Sequence, residues 1–386
     1  MAEKVLLSTD IGSDIDDALA LLTMLNSGIN LDGIYTVNGD VFARGYISKH
    51  LVDLAGKPIE VGIGEAKPLE GGIRPYTYFE ECYIDDKFID EEETDLTRDI
   101  VYQSPQKVGI KPNGLERMAE KLAKSPQDVF SIGPLTNIAR LLEKYPESVK
   151  NINRLYVMGC RFAEDDIHEH NVRFDIPSAM AVFDSDIPIT VIPGNLCSRY
   201  RIPAEQIDQM KSKAGEYVRR MARGFIAAKT AQEFGGNGIE YLLRENAKID
   251  PEYARKESNK IEVARNFERL GRLIVNMDDS FFGAFDPEDY FKQYQELIKH
   301  LRDPKLNYSR GNTFAGILEM AIPKNISVAD VYVPYCFLNP ERTKTERANV
   351  TIDWQGYSRR EKGEKHSIVT DLDFGDFKKF VGEYLR

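Results

Sequence analysis

The chain has 386 residues, 42% hydrophobic and 29% charged, a globular profile long enough for one large α/β domain. A formal net charge of −11 argues against a nucleic-acid backbone as partner. No apolar run approaches the roughly 18 residues that cross a membrane.

In chain order, short apolar runs at 4–9, 31–37, 59–63, 128–132, 154–158 and 187–192 predict buried strands. Helical patterns at 17–26, 42–55, 115–123, 136–144 and 177–183 separate them, and Gly28 and Gly56 fall where helix C-caps belong. This alternation predicts an α/β fold with a doubly wound, mostly parallel central sheet flanked by helices. Residues 71–113 break the rhythm with Tyr76, Tyr78, Phe79 and Tyr83 followed by a run of acids, which reads as a long loop or lid. Residues 203–323 read as mostly helical, with helices at 204–213, 216–234, 261–275 and 287–302. Paired strands at 347–354 and 367–373 and a closing helix at 377–385 follow. With no repeat or low-complexity linker, the expectation is a single domain over 1–386 with a mostly helical insertion at about 203–323. Met1-Ala2-Glu3-Lys4 leads straight into a strand without a signal-peptide pattern, so a cytoplasmic location is expected. Cys82, Cys160, Cys197 and Cys336 are scattered and form no CxxC, so reduced, packed thiols are expected rather than zinc or disulfides.

The chemistry starts where the first strand ends. Val5-Leu6-Leu7 runs into Ser8-Thr9-Asp10-Ile11-Gly12-Ser13-Asp14-Ile15-Asp16-Asp17, and an apolar helix follows. Asp10, Asp14, Asp16 and Asp17 fall within eight positions, where like charges repel unless a cation sits among them. Oxygen ligands of this kind suit a hard cation such as Ca²⁺ or Mg²⁺. The plain alternative is a solvated acidic turn with Asp helix caps, but Gly12 between acids at a strand end is unusual for a cap. Further polar segments sit at or soon after predicted strand ends. They are Val37-Asn38-Gly39-Asp40, Gly133-Pro134-Leu135-Thr136-Asn137, Met158-Gly159-Cys160, and Glu169-His170-Asn171-Val172-Arg173-Phe174-Asp175. In a parallel sheet all of them share one edge with the acidic loop and form a single crevice.

These residues resemble the nucleoside hydrolases, the calcium-dependent N-ribohydrolases. Asp10-Ile11-Gly12 and Asp16-Asp17-Ala18 are similar to parts of the DxDxGxDD signature, with Asp14-Ile15 extra. Leu135-Thr136-Asn137-Ile138-Ala139 resembles the LTN(I/L)A turn, and Glu169-His170-Asn171-Val172 the ExN(V/I) segment. Asp330 falls where the family has its late HD-containing helix start. The resemblance covers roughly residues 4–200 and 325–385.

The resemblance implies Ca²⁺-dependent hydrolysis of a ribonucleoside to free base and ribose. Asp10, Asp17, the Thr136 carbonyl and Asp330 would hold the metal, and Asp10 would also act as general base toward water. Asp16, Glu169 and Asn171 would grip the ribose hydroxyls, Asp40 stands where the family usually has Asn, and Met158 would line the sugar floor. A homodimer or homotetramer is implied as well. The chemistry agrees: breaking an N-glycosidic bond builds positive charge on the sugar, which anionic side chains stabilise most in the transition state.

Three departures stand out. Ser8 replaces the first aspartate of the signature, the inserted pair makes Asp14 a reserve ligand, and Ala329 stands where purine-active members carry a His that protonates the base. His168 is the nearest substitute for that role. His50 and His300 are expected on helix surfaces, His366 in a solvated charged turn, and Trp354 on a late strand. The helical insertion contributes Tyr217, Arg220, Phe225, Phe234, Arg265 and Phe267, a face that reads first as core plus solvated charge, with reaching the base as the alternative. Two further readings stay open at this point. One is a hydrolase of a nucleotide or modified nucleoside, with Arg161 or Arg173 near a 5′-phosphate; the other is a non-catalytic Ca²⁺-dependent sugar- or nucleoside-binding protein.

Overall fold

The computed structural model describes residues 3–70, 103–163, 165, 167–233 and 322–386, and isolated positions between 295 and 320. Cys82, most of the 71–113 segment, and the expected helices at 261–275 and 287–302 with Phe234, Arg265, Phe267 and His300 lie outside the described residues or largely so.

Eight strands form the central sheet. They are β1 (Lys4–Thr9), β2 (Asn30–Thr36), β3 (Glu60–Gly62), β4 (Gln127–Ser131), β5 (Ile152–Met158), β6 (Ile189–Ile192), β9 (Thr343–Ile352) and β10 (Ser358–Leu372). Two short strands, β7 (Arg201–Pro203) and β8 (Asn325–Ser327), pair separately. The sheet order is β3-β2-β1-β4-β5-β6-β10-β9, and every neighbouring pair is parallel except the β9–β10 hairpin. Strands β1, β4 and β6 are buried along almost their whole length, as expected of parallel strands covered on both faces.

The helices of this layer follow the strands. They are α1 (Asp16–Asn26), α2 (Val41–Leu54), α3 (Gly114–Lys124), α4 (Thr136–Lys144), α5 (Pro146–Val149), α6 (His170–Phe174), α7 (Ile176–Asp184) and α8 (Gly194–Cys197). Gly28 and Gly56 adopt left-handed backbone just past α1 and α2, as C-cap glycines do. The order of connection reverses at β1, which has β2 on one side and β4 on the other. In an open parallel sheet this is the switch point, and the crevice beyond its carboxyl ends is where ligands bind.

The chain divides into two compact units: one of Met1–Val218 with Ile326–Arg386, the other Arg219–Asn325. The first carries the sheet, with α10 (Tyr332–Leu338) and α11 (Phe374–Tyr384) closing it. The helix α9 (Lys213–Glu233) enters the second unit, where Arg302 forms a two-pronged ion pair with Glu319 at 2.8 and 2.7 Å.

Several expectations are corrected. The segment at 204–213 is a 3₁₀ turn over Ala204–Gln209 that ends before α9 begins at Lys213, because a Ser212 cap starts the new helix. The late hairpin is longer than its apolar runs, since β10 begins at Ser358 and takes a charged, exposed stretch before its buried end. Trp354 lies in the hairpin turn and is 78% exposed. His50 is buried edge-on against Tyr217, with ring centroids 4.6 Å apart. His366 is buried within β10, where its Nδ1 accepts a hydrogen bond from the Val350 amide at 2.9 Å. Among the described residues, no helix is long and apolar enough to cross a membrane. Cys160, Cys197 and Cys336 are buried free thiols.

Candidate active site

Four strand ends build the crevice. After β1 the chain makes a loop in which Gly12 takes φ 124°, a conformation that L side chains rarely adopt, before Asp16 and Asp17 open the first turn of α1. Acids in a helix's first turn are favoured by its dipole. The inserted pair splits in direction: Ile15 is buried in the core, while Asp14 is exposed and its Oδ1 accepts from the Ile15 amide at 2.8 Å. Asp330, brought in from a 3₁₀ turn over Ala329–Val331, packs against the same helix.

The result is a carboxylate trio. One oxygen from each of Asp16, Asp17 and Asp330 lies within 4.8 Å of the others. Burial pushes all three carboxyls well above the usual range, and the charges of neighbouring aspartates push them further: Asp14 and Asp10 on Asp16, Asp10 and Asp16 on Asp17, and Asp16 and Asp17 on Asp330. Thr9 Oγ1 donates to Asp17 Oδ1 at 2.5 Å, the one bond that favours its charged form most. Hard oxygen donors converging in a buried site fit a divalent cation, whose charge offsets the repulsion.

Asp10 sits beside this trio and is 8% exposed. Burial raises its carboxyl, while the charges of Arg44 and His170 and a long contact from Asn38 Nδ2, 3.5 Å from Asp10 Oδ2, work the other way. A Cβ on Gly133 would come within 2.6 Å of Asp10 Oδ1, so the strand-end glycine is what lets β4 approach this closely. Ser8, at the departing signature position, points to structure instead: its Oγ accepts from Asn137 Nδ2 at 3.0 Å.

The second half of the crevice comes from β4, β5 and the turn before α6. Thr136 starts α4, and its Oγ1 donates to Asp175 Oδ2 at 2.6 Å. Asp175 also caps α7 by accepting from the Ser178 amide at 3.1 Å, so one buried carboxylate fixes both elements. Asn171 Nδ2 donates to the carbonyls of Ile132 at 3.0 Å and Met158 at 3.2 Å, tying the ends of β4 and β5 together. Glu169 caps α6 through the Asn171 and Val172 amides at 3.0 and 2.9 Å, yet burial still lifts its carboxyl to about 7. Met158 is buried at the end of β5, and Cys160 just beyond it has φ 68°. Asp40 caps α2, with its Oδ1 accepting from Phe42 and Ala43 amides at 3.1 and 2.9 Å.

His168 stacks on Tyr357 of the hairpin turn at 4.1 Å between centroids. Both line a cavity of about 320 Å³ together with Arg161, Glu169 and Arg359. Arg161 and Arg359 each hold an aspartate, Asp165 and Asp353 respectively. Arg173 is three positions beyond His170 at the end of α6.

The structure thus gathers Asp16, Asp17 and Asp330 with Asp10 alongside, and puts Thr136, Met158, Glu169 and Asn171 on the adjoining strand ends. It leaves Asp14 at the surface. Sequence reasoning passed over Thr9, Asn38 and Arg44. Arg44 carried a signal, because it stands one helical turn after the Asp40 cap in a segment otherwise rich in buried positions.

A parallel α/β sheet with an acidic cluster at its switch point is a ligand-binding architecture, and its converging oxygen donors would fit a cation. The chain matches the inosine-uridine preferring nucleoside hydrolase family across residues 5–379 and belongs to it. That makes it a hydrolase, in a family that is metal-dependent and acts on ribonucleosides. A probable uridine nucleosidase 2 of Oryza sativa subsp. japonica is 25% identical over 56% of this chain and 64% of its own length. The non-specific ribonucleoside hydrolase RihC of Salmonella paratyphi A is 31% identical over 48% of this chain and 60% of its own length. The chain therefore spans under two thirds of these two relatives. A solved plant nucleoside hydrolase, PpNRh1, shares the fold, with a TM-score of 0.59 at 15% identity over 100% of this chain and 99% of that one.

Proposed function

We propose that the chain hydrolyses the N-glycosidic bond of a ribonucleoside in a Ca²⁺-dependent reaction. The observation that carries this reading is the convergence of Asp16, Asp17 and Asp330 on one buried point with Asp10 beside it. Asp10, Asp17, Asp330 and the Thr136 carbonyl would hold the cation, which when bound lowers the pKa of a water at the site. Asp10 is the base that takes that water's proton. The water oxygen then bonds to the ribose anomeric carbon as the bond from that carbon to the base nitrogen breaks, and the base leaves with a proton. His168, which lines a cavity with Glu169, is the candidate to supply it.

Asp16 belongs to the same trio, so ribose hydroxyls that it holds lie next to the cation. Glu169 and Asn171 grip the sugar from the other side, with Met158 beneath it and Asp40 at the rim. With buried Asp10, Asp17 and Asp330 and half-buried Asp16 around it, the positive charge that grows on the sugar ring is stabilised as it forms. A homodimer or homotetramer belongs to this reading on the family resemblance, and sedimentation measures it.

The test is a panel of purine, pyrimidine and modified nucleosides assayed for released ribose, with and without Ca²⁺. Release that depends on Ca²⁺ and disappears with EDTA is the expected result. Ribose release unchanged by EDTA sinks the metal role, and ligand binding without any release leaves a binding protein instead.

A further inference from the structure

Among the described residues, Arg44 is the one Lys or Arg that is buried, and its exposure is 0%. Removing a guanidinium from water is costly unless its donors are used. Here they reach two loops at once. Nε donates to the Asn38 carbonyl at 2.7 Å, in the turn after β2. Nη1 donates to the carbonyls of Asp10 and of Ile11, the latter at 2.9 Å, in the loop after β1. Both terminal nitrogens lie 3.3 Å from Ser13 Oγ.

The choice of acceptors matters. In these contacts the acceptors are main-chain carbonyls and the Ser13 hydroxyl rather than the nearby carboxylates. The backbone is fixed while the aspartate oxygens stay available. The loop needs such a brace: Asp10–Ile15 carries the inserted pair, and Gly12 holds φ 124°. Asn38 is itself left-handed at φ 67°, and its side chain reaches Asp10. Arg44 therefore constrains Asp10 from two directions, through its own carbonyl and through Asn38.

We propose that Arg44 is the positioning residue of this site, a planar fork that holds the Asp10–Ile15 loop and the Asn38 turn in register so that Asp10 meets cation and water correctly. The proposal rests on the hydrolase reading for its catalytic part, and its structural part stands apart from it. Lysine keeps the charge but cannot span three loop acceptors with one ammonium, so charge and geometry separate cleanly in Arg44→Lys.

The experiment uses the full chain with Arg44→Lys, Arg44→Met and Ser13→Ala. In metal-free Arg44→Lys, amide exchange across residues 11–16 rises about tenfold while the amides of β1 and β4 keep their protection. Calorimetric Ca²⁺ affinity and kcat each fall about 10-fold or more, as when partners that orient ligands are lost. KM for the nucleoside moves by less than about threefold, because the sugar contacts are untouched. Arg44→Met behaves like Arg44→Lys or worse. Ser13→Ala, which leaves the charge in place, raises loop exchange about twofold and keeps the test alive if both Arg44 variants fail to fold.

Wild-type loop exchange in Arg44→Lys, or in Ser13→Ala if that is the only folded variant, overturns the proposal. So does wild-type kcat and Ca²⁺ affinity in a folded Arg44→Lys. If the unaltered protein neither binds Ca²⁺ nor releases ribose, the hydrolase reading fails, and loop exchange alone still decides whether Arg44 braces the loop.

Discussion

The same sheet holds two sets of carboxylates with opposite electrostatic circumstances. Toward the start of its strands, Asp32 is met by Lys121 at 3.3 Å and Lys4 at 3.4 Å, and Glu60 by Arg117 at 2.8 Å with a hydrogen bond from Tyr35 at 3.1 Å. Partial burial pushes both upward, but the cations win and both carboxyls end below their ordinary values. At the carboxyl ends, half-buried Asp16 meets buried Asp17 and Asp330, and all three carboxyls end far above the usual range. Arg44 is near, and its hydrogen bonds to the loop after β1 go to carbonyls and the Ser13 hydroxyl. The difference separates acids paired within the fold from acids that the proposed reaction would use. A carboxylate that serves the fold brings its own cation, and one that serves chemistry leaves the position for a ligand to fill.

That contrast can be broken experimentally. The largest effect is expected from Asp10→Ala: kcat drops about 10³-fold, within the range for loss of a general base, while the circular dichroism spectrum is unchanged. Activity within a factor of ten of the parent would remove Asp10 from the mechanism. Asp17→Asn comes next. It should abolish the Ca²⁺-dependent rise in melting temperature and yet make the metal-free protein more stable, by about 1 kcal/mol, because an uncompensated buried charge is gone. A metal-free Asp17→Asn protein less stable than the parent contradicts the repulsion argument. In the unaltered protein, Ca²⁺ at a hundredfold excess over its Kd should stabilise by about 2.7 kcal/mol in differential scanning fluorimetry.

The paired acids predict the reverse pattern. Glu60→Gln is expected to cost about 1 kcal/mol of stability and to leave kcat and Ca²⁺ affinity unchanged. Any loss of Ca²⁺ affinity in that variant would blur the distinction. The smallest effect concerns a buried base. Burial lowers His366 from 6.5 to about 4, and its Nδ1 is committed as an acceptor to the Val350 amide. The unfolded chain takes up a proton in this window that the folded one refuses. The stability His366 contributes is therefore present above pH 6.5 and is lost as pH falls toward 4. His366→Gln should flatten that part of the stability profile in urea titrations at stepped pH; an unchanged slope shows that other groups set it.

Much of the architecture was legible before any coordinates. Six strands and five helices could be placed to within a few residues because buried parallel strands read as apolar runs and their crossovers as amphipathic helices. The site's first half was legible for a different reason: acids clustered at a strand end are conspicuous locally. Contacts that cross the fold were not. Nothing near Asp330 in the chain says that it meets Asp17, and nothing in the charged 358–366 stretch says that His366 is buried or that Tyr357 stacks on His168. His50 read as a surface residue because nothing near it in the chain says that Tyr217, far along the sequence, covers it.

The sequence by itself determined the strand-and-helix alternation, the acidic loop after β1 and the residues that resemble a nucleoside hydrolase, since these are set by local periodicity and spacing. Only the tertiary structure decided which carboxylates converge, that Asp14 stays outside while Ile15 packs inside, and that Arg44 reaches the carbonyls of the acidic loop after β1. Convergence depends on sheet order, and sheet order arises from long-range pairing that no local run of residues encodes.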